Sequence, residues 1–166
     1  MATDVLLQLD GIVGESGDSV HKDAIEIESF AWGAANAGTS GTGGGGGAGK
    51  GSFRDLRFTI ASNKASPKLM FACASGQHIP RAVLTVRRPS GLQEDFYVVT
   101  LTAVLVSSYR SAGGWSAGGA VDVSIPSDEF ALNFTAMTFK YLPRDRTGQP
   151  LPAQETSWDV KKNAKA

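Results

Sequence analysis

The sequence predicts a mainly β fold: a small antiparallel β-barrel of two packed sheets with one short flanking α-helix. Three observations point there. Apolar residues recur at every second position through much of the chain, the period of a half-buried strand. One stretch alone carries both helix start and helix stop signals. Helical and strand segments do not alternate, so the chain lacks the βαβ frame of a parallel sheet.

Taken in order, Val5, Leu7 and Leu9 alternate with Asp4, Gln8 and Asp10, and Ile25 and Ile27 with Glu26 and Glu28. Leu56, Phe58 and Ile60 alternate with Asp55, Arg57 and Thr59. Further strands are predicted over Val83–Val86, Phe96–Val106, Val121–Ile125 and Phe130–Tyr141, the last clear strand, which Pro143 follows. The helix is predicted over Ser66–Ala74. Ser66 stands as its N-cap, Pro67 suits the first helical position, and Gly76 closes it. Leu69, Met70, Cys73 and Ala74 form its expected packed face.

Some strands break their own alternation. Ile25 and Ile27 share a face, then Phe30 and Trp32 take the opposite one. Phe130, Leu132 and Phe134 share a face, then Met137, Phe139 and Tyr141 switch. A β-bulge re-aims every later side chain and explains such a shift. Val98, Val104 and Val106 oppose Val99, Leu101 and Leu105, which asks for cover on both faces, by a helix or another subunit.

At 166 residues the chain reads as one domain, 1–166, in which 38–52 form an extended glycine-rich loop between strands. Its 16 basic and 16 acidic residues balance, and Lys and Arg are scattered, so the basic footprint of a nucleic-acid binder is missing. No apolar run approaches the ~18 residues that cross a membrane, so membrane insertion is not expected. The opening MATDVLLQLDG lacks the basic n-region of a secretory signal, so the expectation is a protein made in the cytoplasm that leaves by another route. The single cysteine, Cys73, has no internal disulfide partner and reads as a small core residue.

The stretch GGGGGAGKGS, Gly43–Ser52, imitates a phosphate-binding loop. Its context fails. Gly51 follows Lys50 where a Ser or Thr would hold Mg²⁺, and the FRDLRFTIA that comes next reads as a strand, not as the helix whose amides face phosphate. A nucleotide site would give stabilisation lost in Lys50→Ala, and no such effect is expected. His21, among Asp18, Ser19, Lys22 and Asp23, and His78, before Pro80, read as turn or capping residues without metal-ligand spacing. Ser16, Ser75 and Ser90 lack a nucleophile-elbow setting. Asp10 with Glu15, and Asp128 with Glu129, read as charged turn residues and not as acid–base pairs. Neither an enzyme site, a metal site nor a cofactor is expected.

Several segments carry a family resemblance. LQLDGIVGESGDSVHKDAIEIESFAWG, the glycine-rich loop, SPKLMFACASGQHIPRAVLTVRR, TLTAVLVSSY, ALNFTAMTFKY and the tail SWDVKKNAKA resemble the Hcp family, the hemolysin-coregulated tube proteins of the bacterial type VI secretion system. The similarity runs from about Val5 to Ala166 and is most specific at SPKLMFACASGQHIPRAVLTVR.

The resemblance implies a hexameric ring of barrels, stacked into a tube that a contractile sheath drives out of the cell behind a VgrG-type spike. Effector proteins travel in the channel. It implies a secreted structural protein whose main partner is itself. It assigns the ring-stacking contacts to the loop, with Thr39, Ser40, Gly43, Gly46 and Lys50. Phe30, Trp32 and Trp158 fall to the lateral interface or core, and Ser29 and Ala31, small and opposite Phe30 and Trp32, to the channel wall. Two other assemblies share this logic: the tube of a related contractile injection particle or phage tail, and a ring that serves mainly as an effector chaperone.

Overall fold

The computed structural model describes residues 4–38, 49–89, 93–113 and 125–166. They form β1 (Val5–Leu9), β2 (Ile25–Glu26), β3 (Ser29–Ala31), β4 (Ala34–Asn36), β5 (Gly51–Phe53), β6 (Leu56–Ala61), α1 (Ser66–Ser75), β7 (His78–Arg87), β8 (Asp95–Ala112), β9 (Ser127–Asn133), β10 (Ala136–Tyr141), β11 (Gln154–Asp159) and β12 (Ala164–Lys165). Every ladder is antiparallel.

The long β8 is shared by two packed sheets. Its first part lies between β7 and β10 in the order β12-β11-β10-β8-β7-β1-β2. From Leu105 onward it pairs with β9, which continues to β6 and β3. The expected barrel is not closed: where the two sheets meet again there is no continuous ladder. The junction there is the segment Ile27–Glu28, where the Ile27 N–H donates to the Val5 carbonyl and the Glu28 N–H to the Thr59 carbonyl, each at 2.9 Å. One core fills the space between, with Leu7, Ile25, Leu56, Ile60, Leu84, Val99, Leu101, Val104, Phe130 and Leu132 all nearly inaccessible.

The broken alternation is one feature repeated in neighbouring strands. In β7 the buried residues change from Ile79 to Ala82, Leu84 and Val86. In β8 they change from Val99 and Leu101 to Val104 and Val106, and Ala103 between them has φ of 51°. Along β9 and β10 they change from Leu132 and Phe134 to Met137. Register aligns the three sites, with Arg81 opposite Thr102 and Thr102 opposite Ala136. The sheet therefore creases along one line, and a left-handed residue in a strand supplies the extra half-turn. This corrects most of the expectation that β8 needs cover on both faces: Val99, Leu101, Val104 and Val106 are one core face, re-aimed, while Val98 and Leu105 lie half-buried outside that core. The Ile25–Trp32 shift likewise falls where the chain leaves β1 for β6.

Other expectations change. Phe130–Tyr141 is two strands, β9 and β10, following one another along β8, and after a turn the chain returns as β11, which pairs along all of β10. FRDLRFTIA is divided between the end of β5 and β6. Val121–Ser124 lies outside the described residues, and Ile125 is exposed and not in a strand. The helix begins as expected and Gly76 closes it at φ of 66°, but Ser66 is no N-cap. Ala65 holds that position, and the Ser66 hydroxyl instead accepts from the Asn63 N–H and donates to Asp128. The packed face of α1 is Ala65, Leu69 and Ala72 with Cys73 half-buried, whereas Met70 and Phe71 are 51% and 61% exposed.

Candidate functional site

The sheet β3-β6-β9-β8 has two faces of opposite character. On the core side, register aligns Phe30, Phe58, Phe130 and Tyr109 in one row across four strands. Phe58 and Phe130 stack at 5.0 Å between centroids. The flanking rows point outward: Ser29, Thr59, Glu129 and Arg110 in one, and Ala31, Arg57, Ala131 and Ser108 in the other. Alternation dictates this, because successive side chains in a strand leave on opposite sides. The outer rows, apart from the buried Ala131, line a shallow groove of about 380 Å³ to which the central aromatic row also contributes.

Ser29 and Ala31, the residues assigned to a channel wall, lie exposed in this groove. Arg57, Thr59, Ser108, Arg110 and Glu129 share it and were not singled out from sequence. Their outward parity was readable in β6 and β9; that β3, β6, β9 and β8 are neighbours was not. The groove offers hydroxyls, methyls and an exposed Arg110–Glu129 pair at 3.7 Å. Its lining includes neither imidazole nor thiol.

Phe30 and Trp32 turn the other way, into a half-buried aromatic cluster at one end of the core. Trp32 lies edge-on to Phe139 at 5.5 Å, Phe30 meets Tyr97 at 5.8 Å, and Tyr97 meets Phe139 at 4.8 Å. The Trp32 indole N–H donates to the Tyr97 hydroxyl at 2.7 Å. Trp158 is half-buried in β11, between Met137 and Lys165, and its indole N–H is buried without a partner among the described residues. Of the loop residues, Lys50 is exposed just before β5, and Thr39, Ser40, Gly43 and Gly46 lie outside the described residues. Lys50 leads into a strand, and β4 and β5 make a two-stranded arm at the base of that loop.

Two buried polar clusters fix the surroundings. Asp128 is fully buried in β9, not a turn residue, next to Glu129 of the groove. Ser62 donates to its Oδ1 at 2.8 Å and Ser66 to its Oδ2. Burial alone pushes its pKa up, but hydroxyls of Ser66, Ser111, Ser62 and Tyr109 outweigh that and hold it below the ordinary value. The carboxylate thus ties α1, β6, β8 and β9 together. Burial, and next the contact with Asp128, raise the Tyr109 pKa.

Arg87, 3% exposed, organises the second cluster. Its Nε donates to Asp95 at 2.8 Å and its Nη1 to Asp18 at 2.6 Å. The other Asp18 oxygen accepts from the N–H groups of Val20 and His21. Burial disfavours the guanidinium charge, yet Asp95 and Asp18 reverse this and raise its pKa. The His21 N–H is the main cause of a lowered Asp18 pKa, with the Val20 N–H and Arg87 adding to it against desolvation. His21 lies in a turn, as its neighbours suggest, but a buried one. It is 8% exposed, with Nε2 2.9 Å from Asp95.

Comparison with known proteins points one way. Residues 6–141 match the family model described as type VI secretion system effector, Hcp. The chain is 35% identical over 171 residues to Protein hcp1 of Pseudomonas aeruginosa, with both chains fully covered. A solved structure of a type six secretion system protein superposes with a TM-score of 0.88 at 34% identity, covering 99% of this chain and 100% of the other. Hcp1 from Salmonella typhimurium superposes with a TM-score of 0.79 at 29% identity over the full length of both.

Proposed function

The chain belongs to the Hcp family of the type VI secretion system, and from that premise we propose that the outward face of β3-β6-β9-β8 lines the channel of its ring. The protein is a secreted tube subunit of that system, and its family assembles as hexameric rings. Among the described residues no helix is long and apolar enough to cross a membrane.

The observation that carries the channel assignment is the division of this sheet into an aromatic inner row and outer rows of small Ser, Thr and Ala residues among which Arg57, Arg110 and Glu129 nearly balance in charge. Such a wall is wet, smooth and close to neutral, so cargo slides on it without strong electrostatic attachment. Effector proteins are the cargo. The protein acts by assembly and without catalysis. A contractile sheath surrounds the stacked rings and a VgrG-type spike caps them. Ring stacking falls to the arm and loop, with Thr39, Ser40, Gly43, Gly46 and Lys50. Glycine there permits close approach of backbones and loses entropy on ordering, so stacking gains its strength from many copies. Phe30 and Trp32 act as core residues, and Trp158, beside β12, belongs to the lateral side.

Labelling tests the channel wall. In a Cys73→Ser background, Ala31→Cys and Lys22→Cys are treated with a maleimide reagent too bulky for the channel. The assignment predicts slow labelling at position 31 in assembled rings and fast labelling at position 22. Equal rates at the two positions contradict it.

A further inference from the structure

The two ends of the path β12-β11-β10-β8-β7-β1-β2 differ in charge. The segment from Asp4 to Glu28, which forms β1, the following loop and β2, contains seven acidic residues against one lysine. Asp18 is neutralised by Arg87, and Asp23 lies 3.7 Å from Lys64. Asp4, Glu15, Glu26 and Glu28 are exposed, with no ion-pair partner among the described residues. Three of them form one surface, with Glu28 two residues beyond it along the chain: Asp4 and Glu26 line a polar groove of about 380 Å³, and Glu15 and Glu26 line the hollow beside it.

At the other end the β11–β12 hairpin has Glu155 and Asp159 in β11 and gathers three lysines at its tip and edge, Lys161 and Lys162 in the turn and Lys165 in β12, all exposed. No carboxylate lies within ion-pair distance of these ammonium groups among the described residues. The turn is a built feature: Asn163 has φ of 52°, and the Lys162 N–H donates to the Asp159 carboxylate at 2.7 Å. Outside this hairpin, Ala164 and Lys165 have an unpaired strand edge among the described residues.

A ring closes through heterologous contacts, in which one patch of each copy meets a different patch of the next. We propose that neighbouring copies meet head to tail, with Lys161, Lys162 and Lys165 of one copy against the acidic β1–β2 surface of the next. The proposal rests on the ring reading above and names the surfaces that make the ring. Edge lysines ordinarily discourage strand addition. Here they also select the partner. Two lysine hairpins repel each other, and so do two acidic surfaces, so face-to-face dimers are disfavoured and only the closing arrangement is attractive.

Charge exchange tests this. One variant carries Lys161→Glu, Lys162→Glu and Lys165→Glu; the other carries Glu15→Lys, Glu26→Lys and Glu28→Lys. Native mass is measured by light scattering at low ionic strength, where exposed charges are least screened. The wild type is expected at six copies of 17.4 kDa and each variant alone at one. Mixed in equal amounts, the variants present opposite patches to each other and are expected to recover the six-copy mass as alternating rings. That recovery also shows that both are folded. Hexamers from either variant alone overturn the proposal, as does a failed recovery when both variants melt like wild type. A wild type that never forms a ring overturns the ring reading itself, a result distinct from both.

Discussion

Pro80 stands opposite Ala103 in the β7–β8 ladder, and at this pair both strands change the parity of the side chains they bury. Proline has no N–H to give the ladder, and Ala103 takes a left-handed conformation. The irregularity is thus placed where the ladder is already one bond short. It turns the sheet so that Val99 and Leu101 on one side of the crease and Val104 and Val106 on the other reach one core.

A β-branched side chain at 103 is strained at positive φ. Ala103→Val is expected to destabilise the protein by about 2 kcal/mol, and Ala103→Gly to be tolerated. Urea unfolding midpoints decide between them. Equal midpoints for Val and Gly would remove the crease from the account.

Asp128 makes stability acid-sensitive. Its folded pKa lies below the unfolded value, so its contribution is complete above about pH 4 and is lost as pH falls through the folded pKa. Asp18 shifts in the same direction. Asp128→Ala strands the hydroxyls of Ser62 and Ser66 and is expected to cost about 3 kcal/mol at neutral pH. Unfolding measured from pH 7 to pH 3 should show the wild type losing stability faster than the variant. Parallel curves would contradict the linkage.

Arg87 bridges Asp18 and Asp95 through two different nitrogens, a geometry that lysine cannot copy. Arg87→Ala leaves two carboxylates without their cation and is expected to cost about 3–5 kcal/mol; Arg87→Lys recovers part of it. Limited proteolysis should then cut between Ile12 and Ala24, where Asp18 anchors the loop. Unchanged resistance would mean that Gly14, packed against the Ala24 backbone, holds the loop unaided.

The sequence made the mainly β character legible, and with it β1, β6 and the helix, because local alternation and terminal signals carry those elements. It also marked where parity breaks at Ile27 and Phe134. It did not reveal that the breaks align, since Arg81, Thr102 and Ala136 become neighbours only through pairing. Ser29 and Ala31 were found by opposing them to Phe30 and Trp32. Arg57, Arg110 and Glu129 were not, because they join that face across strands far apart in sequence. His21 reads as a turn residue from its neighbours, and its contact with Asp95 was not legible because that partner lies 74 positions away. β11 escaped notice because QETSWD, half exposed, has no alternation to reveal it.

Whether this chain forms a ring is decided by the native mass of the purified protein, measured by light scattering over a range of concentrations, with negative-stain images of the same sample. The expected result is a mass of six copies and ring-shaped particles with an open centre. A single-copy mass at every concentration, with no rings in the images, would contradict it.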